Sequence, residues 1–329
     1  MNRWLRPIGC CVLVALATVA AGSADAATRI AFSRIAVRHH ENVSDVWVAD
    51  GSGRDQHMLG PGELPLVAPN GRAVAVELTQ PSTGVLAVYS TVGGRTQHYP
   101  SIGVVGTPLA WSPDSRYLAV RVQGVQDGLD VIDTKLGSAT FIGPSTYPTA
   151  SFAPTLPDRL AYSLGVVPES ANVLTAAPDG SGARELTHNN RSAYPVWGRH
   201  GIVFSRGSQI WVMHPNGTHA RQVTHAREQF FGGGLTPLYW APNGRWLVAD
   251  ELVGTVDHTW TVSLRTGAAG PLIVRGDYVY AAGVSSNSRR VLVGYSPSPL
   301  ASDIATAPWT GGNALTILIR GGGQASWNG

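Results

Sequence analysis

Histidines are the residues best suited to chemistry in this sequence. The chain has ten, and a neutral imidazole can bind a transition metal or carry a proton near neutral pH. His39 and His40 are adjacent, and because neighbouring side chains of a strand point in opposite directions, they form a poor chelate unless the loop turns. His188 and His225 each follow a Leu-Thr or Val-Thr pair. We therefore expect solvated or locally hydrogen-bonded histidines, with a metal site as the less favoured alternative, and we assign no metal ligand and no cofactor.

Motifs for covalent or calcium-dependent chemistry are absent from the sequence. The pentapeptide Gly-x-Ser-x-Gly, which would hold a serine nucleophile on a strained strand-to-helix turn, does not occur. Asp50-Gly51 and Asp179-Gly180 have turn composition without the spacing of an EF-hand. We therefore assign no catalytic residue, and the sequence favours a protein that is not an enzyme.

Two loop segments, 188–194 and 225–234, combine residue types that often anchor partners at interfaces, namely arginine and aromatic residues. The second segment sets two phenylalanines beside a run of glycines. Packing of those phenylalanines into a groove between neighbouring units is the favoured interpretation, and an exposed binding surface is the alternative. The candidate binding residues are His39, His40, His188, Arg191, Tyr194, His225, Arg227, Phe230 and Phe231.

A sequence repeat must position these segments. Its clearest copies are Trp-Ser-Pro-Asp-Ser-Arg-Tyr-Leu-Ala-Val from Trp111 and Trp-Ala-Pro-Asn-Gly-Arg-Trp-Leu-Val-Ala from Trp240. The copies are separated by 44, 41, 45, 43, 44 and 43 residues. They begin at Val67, Trp111, Phe152, Trp197, Trp240, Val284 and Trp327. A repeat of about 40 to 50 residues is typical of β-propeller blades.

Each period contains two hairpins. The first has a short apolar strand, a turn of Pro with Asp or Asn, and a strand rich in aliphatic residues. The second is clearest at Ile210-Trp211-Val212 before Asn216-Gly217, followed by Val223-Thr224 on the outer strand. Four strands per period predict an all-β fold, and the repeated tryptophans are expected to pack between blades rather than to stack on sugars or bases.

The two ends of the repeat array complement each other. Residues 29–33 match the second strand of a blade, whereas residues 325–329 match the first strand. Pairing the ends would complete one split blade and remove two open sheet edges. We therefore predict a seven-bladed β-propeller of four-stranded antiparallel blades over residues 28–329, closed by the C-terminal strand against the N-terminal strands; six blades are the alternative.

Residues 1–26 have the composition of a signal peptide. Arg3 and Arg6 precede an apolar run, Ile8 to Ala20, and Ala24-Asp25-Ala26 is a small-residue cleavage site. Both cysteines of the chain lie in this segment, so its removal would exclude disulfides, thiol catalysis and cysteine-ligated metals. We expect an exported protein, periplasmic or extracellular, with no membrane span after signal removal.

Composition supports the fold and limits the partners. Glycine is abundant, at 39 residues, and charged residues make up only 14% of the chain, as expected for short apolar strands joined by tight turns. The net charge is only +3 and no run of bases occurs, so a nucleic-acid partner has little support.

The repeat resembles that of the TolB-like propeller family, which is WD40-like in its blades. The resemblance rests on Trp111-Ser112-Pro113-Asp114, on Ile210-Trp211-Val212-Met213 and on Val223-Thr224, and the repeat covers nearly all of the chain after residue 28. Such repeats occur in periplasmic scaffolds, in propeller caps of serine peptidases and in some polysaccharide lyases. Proteins of the TolB type have a six-bladed ring and a separate N-terminal domain. Partner binding through such a domain is therefore not carried over to this chain.

The resemblance and the absence of a catalytic motif together favour one function. We expect a non-catalytic binding propeller that mediates protein–protein or ligand interactions at the cell envelope, most simply as a monomer. Its partner would be another envelope or extracellular protein, or a glycan. The alternative is an enzyme acting on polysaccharide, a lyase or hydrolase with its site at the channel mouth.

Overall fold

The computed structural model describes residues 28–38, 41–78, 85–99, 105–124, 126–165, 171–225, 234–253, 256–272, 279–298, 301–311 and 314–328. These residues form 28 strands and no helix, so none of them belongs to a helix long and apolar enough to cross a bilayer. The predicted signal peptide lies outside the described residues.

The strands are short, as the density of turn residues predicts. The first fourteen are β1 Arg29–Arg38, β2 Glu41–Asp50, β3 His57–Pro61, β4 Glu63–Val67, β5 Ala73–Glu77, β6 Leu86–Ser90, β7 Gln97–His98, β8 Val105–Trp111, β9 Tyr117–Gln123, β10 Gly128–Asp133, β11 Ser138–Pro144, β12 Thr149–Phe152, β13 Leu160–Ser163 and β14 Val173–Ala176. The others are β15 Arg184–Glu185, β16 Ser192–Gly198, β17 Gly201–Arg206, β18 Gln209–Met213, β19 Arg221–Gln222, β20 Leu235–Trp240, β21 Trp246–Val253, β22 Val256–Ser263, β23 Ala269–Pro271, β24 Val279–Val284, β25 Arg290–Ser298, β26 Ala301–Pro308, β27 Thr316–Arg320 and β28 Ala325–Trp327.

The strands form seven antiparallel sheets of four, which are the blades of a propeller. Blade 1 has the order β28-β1-β2-β3, and blades 2 to 7 each take four consecutive strands, from β4–β7 to β24–β27. The prediction of seven four-stranded blades is therefore confirmed, and the alternative of six is wrong. The seven first residues of the repeat copies all lie at or next to the end of an innermost strand.

Blade 1 is assembled from both ends of the chain. In β28, Trp327 pairs with Ile30 and Ala325 pairs with Phe32, in antiparallel register. The amide of Val67, in blade 2, also donates a hydrogen bond of 2.9 Å to the Ser326 hydroxyl. The predicted closure by the C-terminal strand is confirmed, and β28 contacts the blades on both of its sides.

Packing between blades follows the repeated aromatic residue at the end of the innermost strand. Trp111 is buried among side chains of blades 2 and 3, and its indole N–H donates to the Leu66 carbonyl at 3.0 Å. Trp240 lies against Gly198 of the preceding blade so closely that a Cβ there would collide with the indole. A large flat side chain of one sheet thus fills the space above a small residue of the previous sheet.

Two faces of the propeller follow from the direction of the strands. On the turn face, the first strand of each blade joins the second and the third joins the fourth. The side chain of Asn243 stabilises one such turn by accepting a 2.9 Å hydrogen bond from the amide of Arg245, as Asn70 does for Arg72 in blade 2. On the opposite, loop face, the second strand joins the third and each blade passes to the next.

Candidate functional site

The innermost strands surround a central channel whose wall is mainly apolar. A cavity of about 630 Å³ is lined mostly by blades 4, 5 and 6, and a second of about 340 Å³ is lined mostly by blades 1, 2, 3 and 7. Leu66, Leu109 and Tyr239 line both cavities. Among the described residues that line them, only Arg199 has a charged side chain.

Prolines recur in the channel wall because the innermost strand is the edge of its sheet. Pro65, Pro108, Pro195 and Pro237 lie in the first strands of blades 2, 3, 5 and 6, and each is at a register shift in the pairing with the second strand. Proline has no N–H to donate, so it is tolerated at an edge or a bulge. The bulges turn the following aliphatic side chains, such as Leu66 and Leu109, into the channel wall.

Tyrosines supply hydroxyl groups to the smaller cavity. Burial, together with the nearby charge of Asp250, raises the pKa of Tyr239 to about 12, and burial raises the pKa of Tyr280 further above its usual value. The Tyr280 hydroxyl donates to the Gly323 carbonyl at 2.8 Å. Both phenols are therefore neutral at physiological pH, where they can donate hydrogen bonds but cannot act as bases.

The candidate residues from the sequence lie in different environments. His188, Arg191 and His225 are exposed on the loop face, whereas half-buried Tyr194 lies in β16 and lines the larger cavity. Tyr194 has a φ of 55° beside the bulge at Pro195. The structure therefore brings only this one of the described candidates into the channel. The other candidates lie outside the described residues, and they are His39, His40, Arg227, Phe230 and Phe231.

The loop that carries His188 and Arg191 is held by one side chain. Asn172 accepts hydrogen bonds from the amides of Asn189 and Asn190, at 3.0 and 2.9 Å, and donates one of 2.6 Å to Glu185. The His188 ring lies 3.7 Å from Glu185 and is largely exposed. This network fixes the backbone of the loop while leaving its basic side chains available to a partner.

The Leu-Thr and Val-Thr pairs have a structural role. The buried hydroxyl of Thr187 accepts a 2.9 Å hydrogen bond from the Val173 amide, and Thr224 accepts one of 3.0 Å from Ile210. Each threonine thereby connects the outer end of a blade to the start of the third strand. The histidines that follow them therefore begin the loops and take no part in this bonding.

Carboxylates with altered pKa values lie away from the channel. Burial raises the pKa of Asp130, on β10, to about 6, and the hydrogen bond from Arg116 lowers the pKa of Asp133. Neither side chain is among the lining residues of the two cavities. In the described ranges, no three or more His, Cys, Asp or Glu side chains come together in a way that could hold a metal ion.

Apart from Tyr194, the channel wall formed by the described residues contains none of the sequence candidates. Its signal is a proline two or three positions before the first residue of a repeat copy, as in Pro195 before Trp197 and Pro237 before Trp240. The repeat assigns the residues that precede the tryptophan only to the short apolar first strand of a blade, and its turns do not show that this strand faces the axis. Proline at that place indicates an edge strand that faces the axis.

No family model matches the chain, and no curated protein matches it. Solved structures match its fold. A prolyl endopeptidase covers 92% of this chain with a TM-score of 0.65 and 10% identity, and the chain spans only 50% of that protein. The β-propeller domain of the Trilobed protease from Pyrococcus furiosus covers 88% of this chain and 92% of its own, with a TM-score of 0.66 and 9% identity. TolB from Acinetobacter baumannii matches over 91% of this chain and 82% of its own length, with a TM-score of 0.51 and 12% identity. The chain therefore has the TolB-like β-propeller fold, and at these identities the likeness extends to the fold alone.

Proposed function

We propose that this protein is an exported, non-catalytic binding propeller that holds another envelope or extracellular protein, or a glycan, on its loop face and in the adjoining channel. In this proposal residues 1–26 are a signal peptide and residues 28–329 form one propeller domain. The binding residues are the nine sequence candidates, together with the apolar wall beside Tyr194.

The apolar channel wall is the observation that supports binding over catalysis. A catalytic site needs acids, bases or nucleophiles that converge within hydrogen-bond reach of a substrate. The wall instead presents aliphatic side chains and prolines around 630 Å³ of space, with phenols whose raised pKa values keep them protonated. A mainly apolar cavity with a few polar groups is typical of a site that holds a ligand.

Affinity capture with matched variants tests this proposal. The exported protein is immobilised, an envelope extract of the native host is passed over it, and the retained proteins and glycans are quantified by mass spectrometry. One double variant, His188→Ala combined with Arg191→Ala, removes two exposed loop-face side chains. The control double variant, His57→Ala combined with Arg184→Ala, removes the same types of side chain elsewhere. We expect the loop-face pair to reduce retention of the partner about tenfold, as the loss of an interface anchor does, and the control pair to leave it within about twofold.

Two results would contradict the proposal. One is equal retention by both double variants, which would show that the loop face does not hold the partner. The other is the release of new reducing ends or unsaturated sugars from a polysaccharide by the unchanged protein, which would indicate the lyase or hydrolase alternative.

A further inference from the structure

Basic residues are distributed evenly around the turn face, two in or beside the turns of each blade. In order from blade 1 to blade 7 they are Arg29, Arg54, Arg72, Arg95, Arg116, Lys135, Arg159, Arg184, Arg199, Arg221, Arg245, Arg265, Arg289 and Arg290. The repeat explains the distribution, since each period places an arginine after its first turn.

Acidic residues on the same face are distributed unevenly. Blades 1, 3 and 4 each contribute two of them, and the six residues are Asp50, Asp55, Asp114, Asp133, Asp158 and Asp179. The sequence has no Asp or Glu in the turn-face segments of blades 5, 6 and 7, which are residues 198–201, 214–221, 241–245, 264–268, 285–290 and 309–315. The turn-face segments of blade 2, residues 68–72 and 91–96, also lack Asp and Glu, but only blades 5, 6 and 7 form three consecutive blades with a net positive charge on this face.

Strand register explains the difference between blade 3 and blade 6. In blade 3, Arg116 is followed by Tyr117, which pairs with Asp133 on the neighbouring strand. The Asp133 carboxylate lies 2.6 Å from the Arg116 guanidinium. In blade 6, Trp246 follows Arg245 in the same way and pairs with Ser263. The arginine is kept in both blades, but only blade 3 supplies a carboxylate at the matching position.

Four arginines of blades 5 to 7 are left without a carboxylate. Arg199, Arg245, Arg265 and Arg289 are exposed, and none of them takes part in the four ion pairs found among the described residues. We name these four residues the arginine sector. Two other arginines of these blades donate hydrogen bonds within the propeller. Arg221 donates to the Leu264 carbonyl at 3.1 Å, and Arg290 donates to the Thr306 hydroxyl at 2.7 Å.

The arginine sector is continuous and adjoins the channel. The Asn243 amide donates a 2.9 Å hydrogen bond to the Ser288 hydroxyl, which joins the turns of blades 6 and 7. The His200 ring lies against Gly244, which joins the turns of blades 5 and 6. Arg199 also lines the larger cavity, beside Trp240 and Pro242.

We propose that the arginine sector is a second binding surface, which docks an acidic polypeptide segment whose carboxylates contact the arginines and whose apolar side chains enter the larger cavity. Arginine suits carboxylates because its planar donors can bind both oxygens. The arginines lie on the opposite face from the residues of the proposed loop-face site, whereas the larger cavity belongs to both proposals.

The surroundings of the arginine sector favour a polypeptide over other anions. Binding to a bilayer surface is strengthened when apolar side chains insert next to the basic residues. The large exposed apolar side chains of this face, Val92, Leu136 and Leu156, instead belong to blades 2, 3 and 4. An anionic glycan or polyphosphate has no aliphatic side chain to fill an apolar cavity of about 630 Å³. An acidic polypeptide supplies both kinds of group.

Fluorescence anisotropy of a labelled peptide of alternating Glu and Leu residues tests this proposal with the full-length exported chain. One variant combines Arg245→Ser, Arg265→Ser and Arg289→Ser, and its control combines Arg54→Ser, Arg95→Ser and Arg184→Ser on the other blades of the same face. We expect the first triple variant to weaken binding at least about tenfold, the control to stay within about twofold, and the affinity to fall with added salt.

A single substitution provides an independent check. Ser263→Asp should give Arg245 the carboxylate partner that Arg116 has in blade 3, and should weaken peptide binding about threefold without removing any arginine. Equal losses in both triple variants, or affinity that does not change with salt, would overturn the proposal. Binding of polyphosphate or of phosphatidylglycerol vesicles in place of the peptide would also overturn it, because either result would identify a different class of partner.

Discussion

Deleting residues 323–329 is expected to lower the melting temperature by about 10 °C or more. Removing a fully buried tryptophan costs about 3 to 5 kcal/mol, half-buried Trp327 contributes part of that cost, and in a chain of this size each kcal/mol lowers the melting temperature by about 2 to 4 °C. Trp327 packs in the cluster formed by Ile30, Phe32 and the side chains of blade 7. The deletion removes this contact and also the innermost strand of blade 1.

The hydrogen bonds of the last strand explain why the effect should extend beyond one side chain. The amide of Leu64 donates to the Gln324 side chain at 2.9 Å, and the amide of Arg29 donates to the Asn328 side chain at 2.6 Å. Without β28, polar groups of blades 1 and 2 lose their partners and two sheet edges open.

Calorimetry of the truncated protein measures the effect, with removal of Gly329 alone as the control. The control retains Trp327 and the hydrogen bonds of Gln324 and Asn328, so its melting temperature should match that of the parent. A protein lacking residues 323–329 that also melts with the parent would show that the C-terminal strand does not close the ring.

The substitution Trp111→Ala is expected to lower the free energy of unfolding by about 3 to 5 kcal/mol, which is the cost of removing a large aromatic side chain from a core. Trp111 is only 8% exposed and packs with Leu118 and Val120 between blades 2 and 3. Its loss leaves a cavity between two rigid sheets, which cannot collapse easily because each is held by its own ladder of hydrogen bonds.

Phenylalanine variants separate packing from hydrogen bonding in the same experiment. Trp111→Phe leaves the Leu66 carbonyl without its donor and should cost about 1 to 3 kcal/mol. The indole N–H of Trp240 is buried without a hydrogen-bond partner, so Trp240→Phe should cost less than Trp111→Phe. Urea unfolding provides the three free energies. Equal costs for the two phenylalanine variants would contradict the assigned hydrogen bond, and a Trp111→Ala protein as stable as the parent would contradict the packing.

The fold could be predicted from the sequence because its determinants are local and repeated. A large apolar residue recurs at or next to the end of each innermost strand, aromatic in five blades and valine in the other two, and turn-forming residues follow it in each period. The split blade could be predicted because Phe32 and Trp327 each match a strand whose usual partner is missing nearby in the sequence.

The site could be predicted less well because it depends on contacts between distant residues. Composition places Tyr194 in a loop, whereas the structure includes it in β16, beside a bulge that composition does not show. That the arginine sector lacks carboxylate partners could not be predicted for a similar reason. Arg116 and Arg245 occupy the same position of the repeat, and the cross-strand partners, Asp133 and Ser263, make one paired and the other free of a carboxylate.

Hydrogen exchange of the protein bound to its captured partner most directly tests whether this propeller binds through its loop face and channel. We predict slower exchange in the partner-bound protein for amides of residues 186–198 and of β20, with unchanged exchange in the outer strands of the same blades. Protection confined to the outer strands, or no protection in residues 186–198, would show that the partner binds elsewhere and would contradict the proposed function.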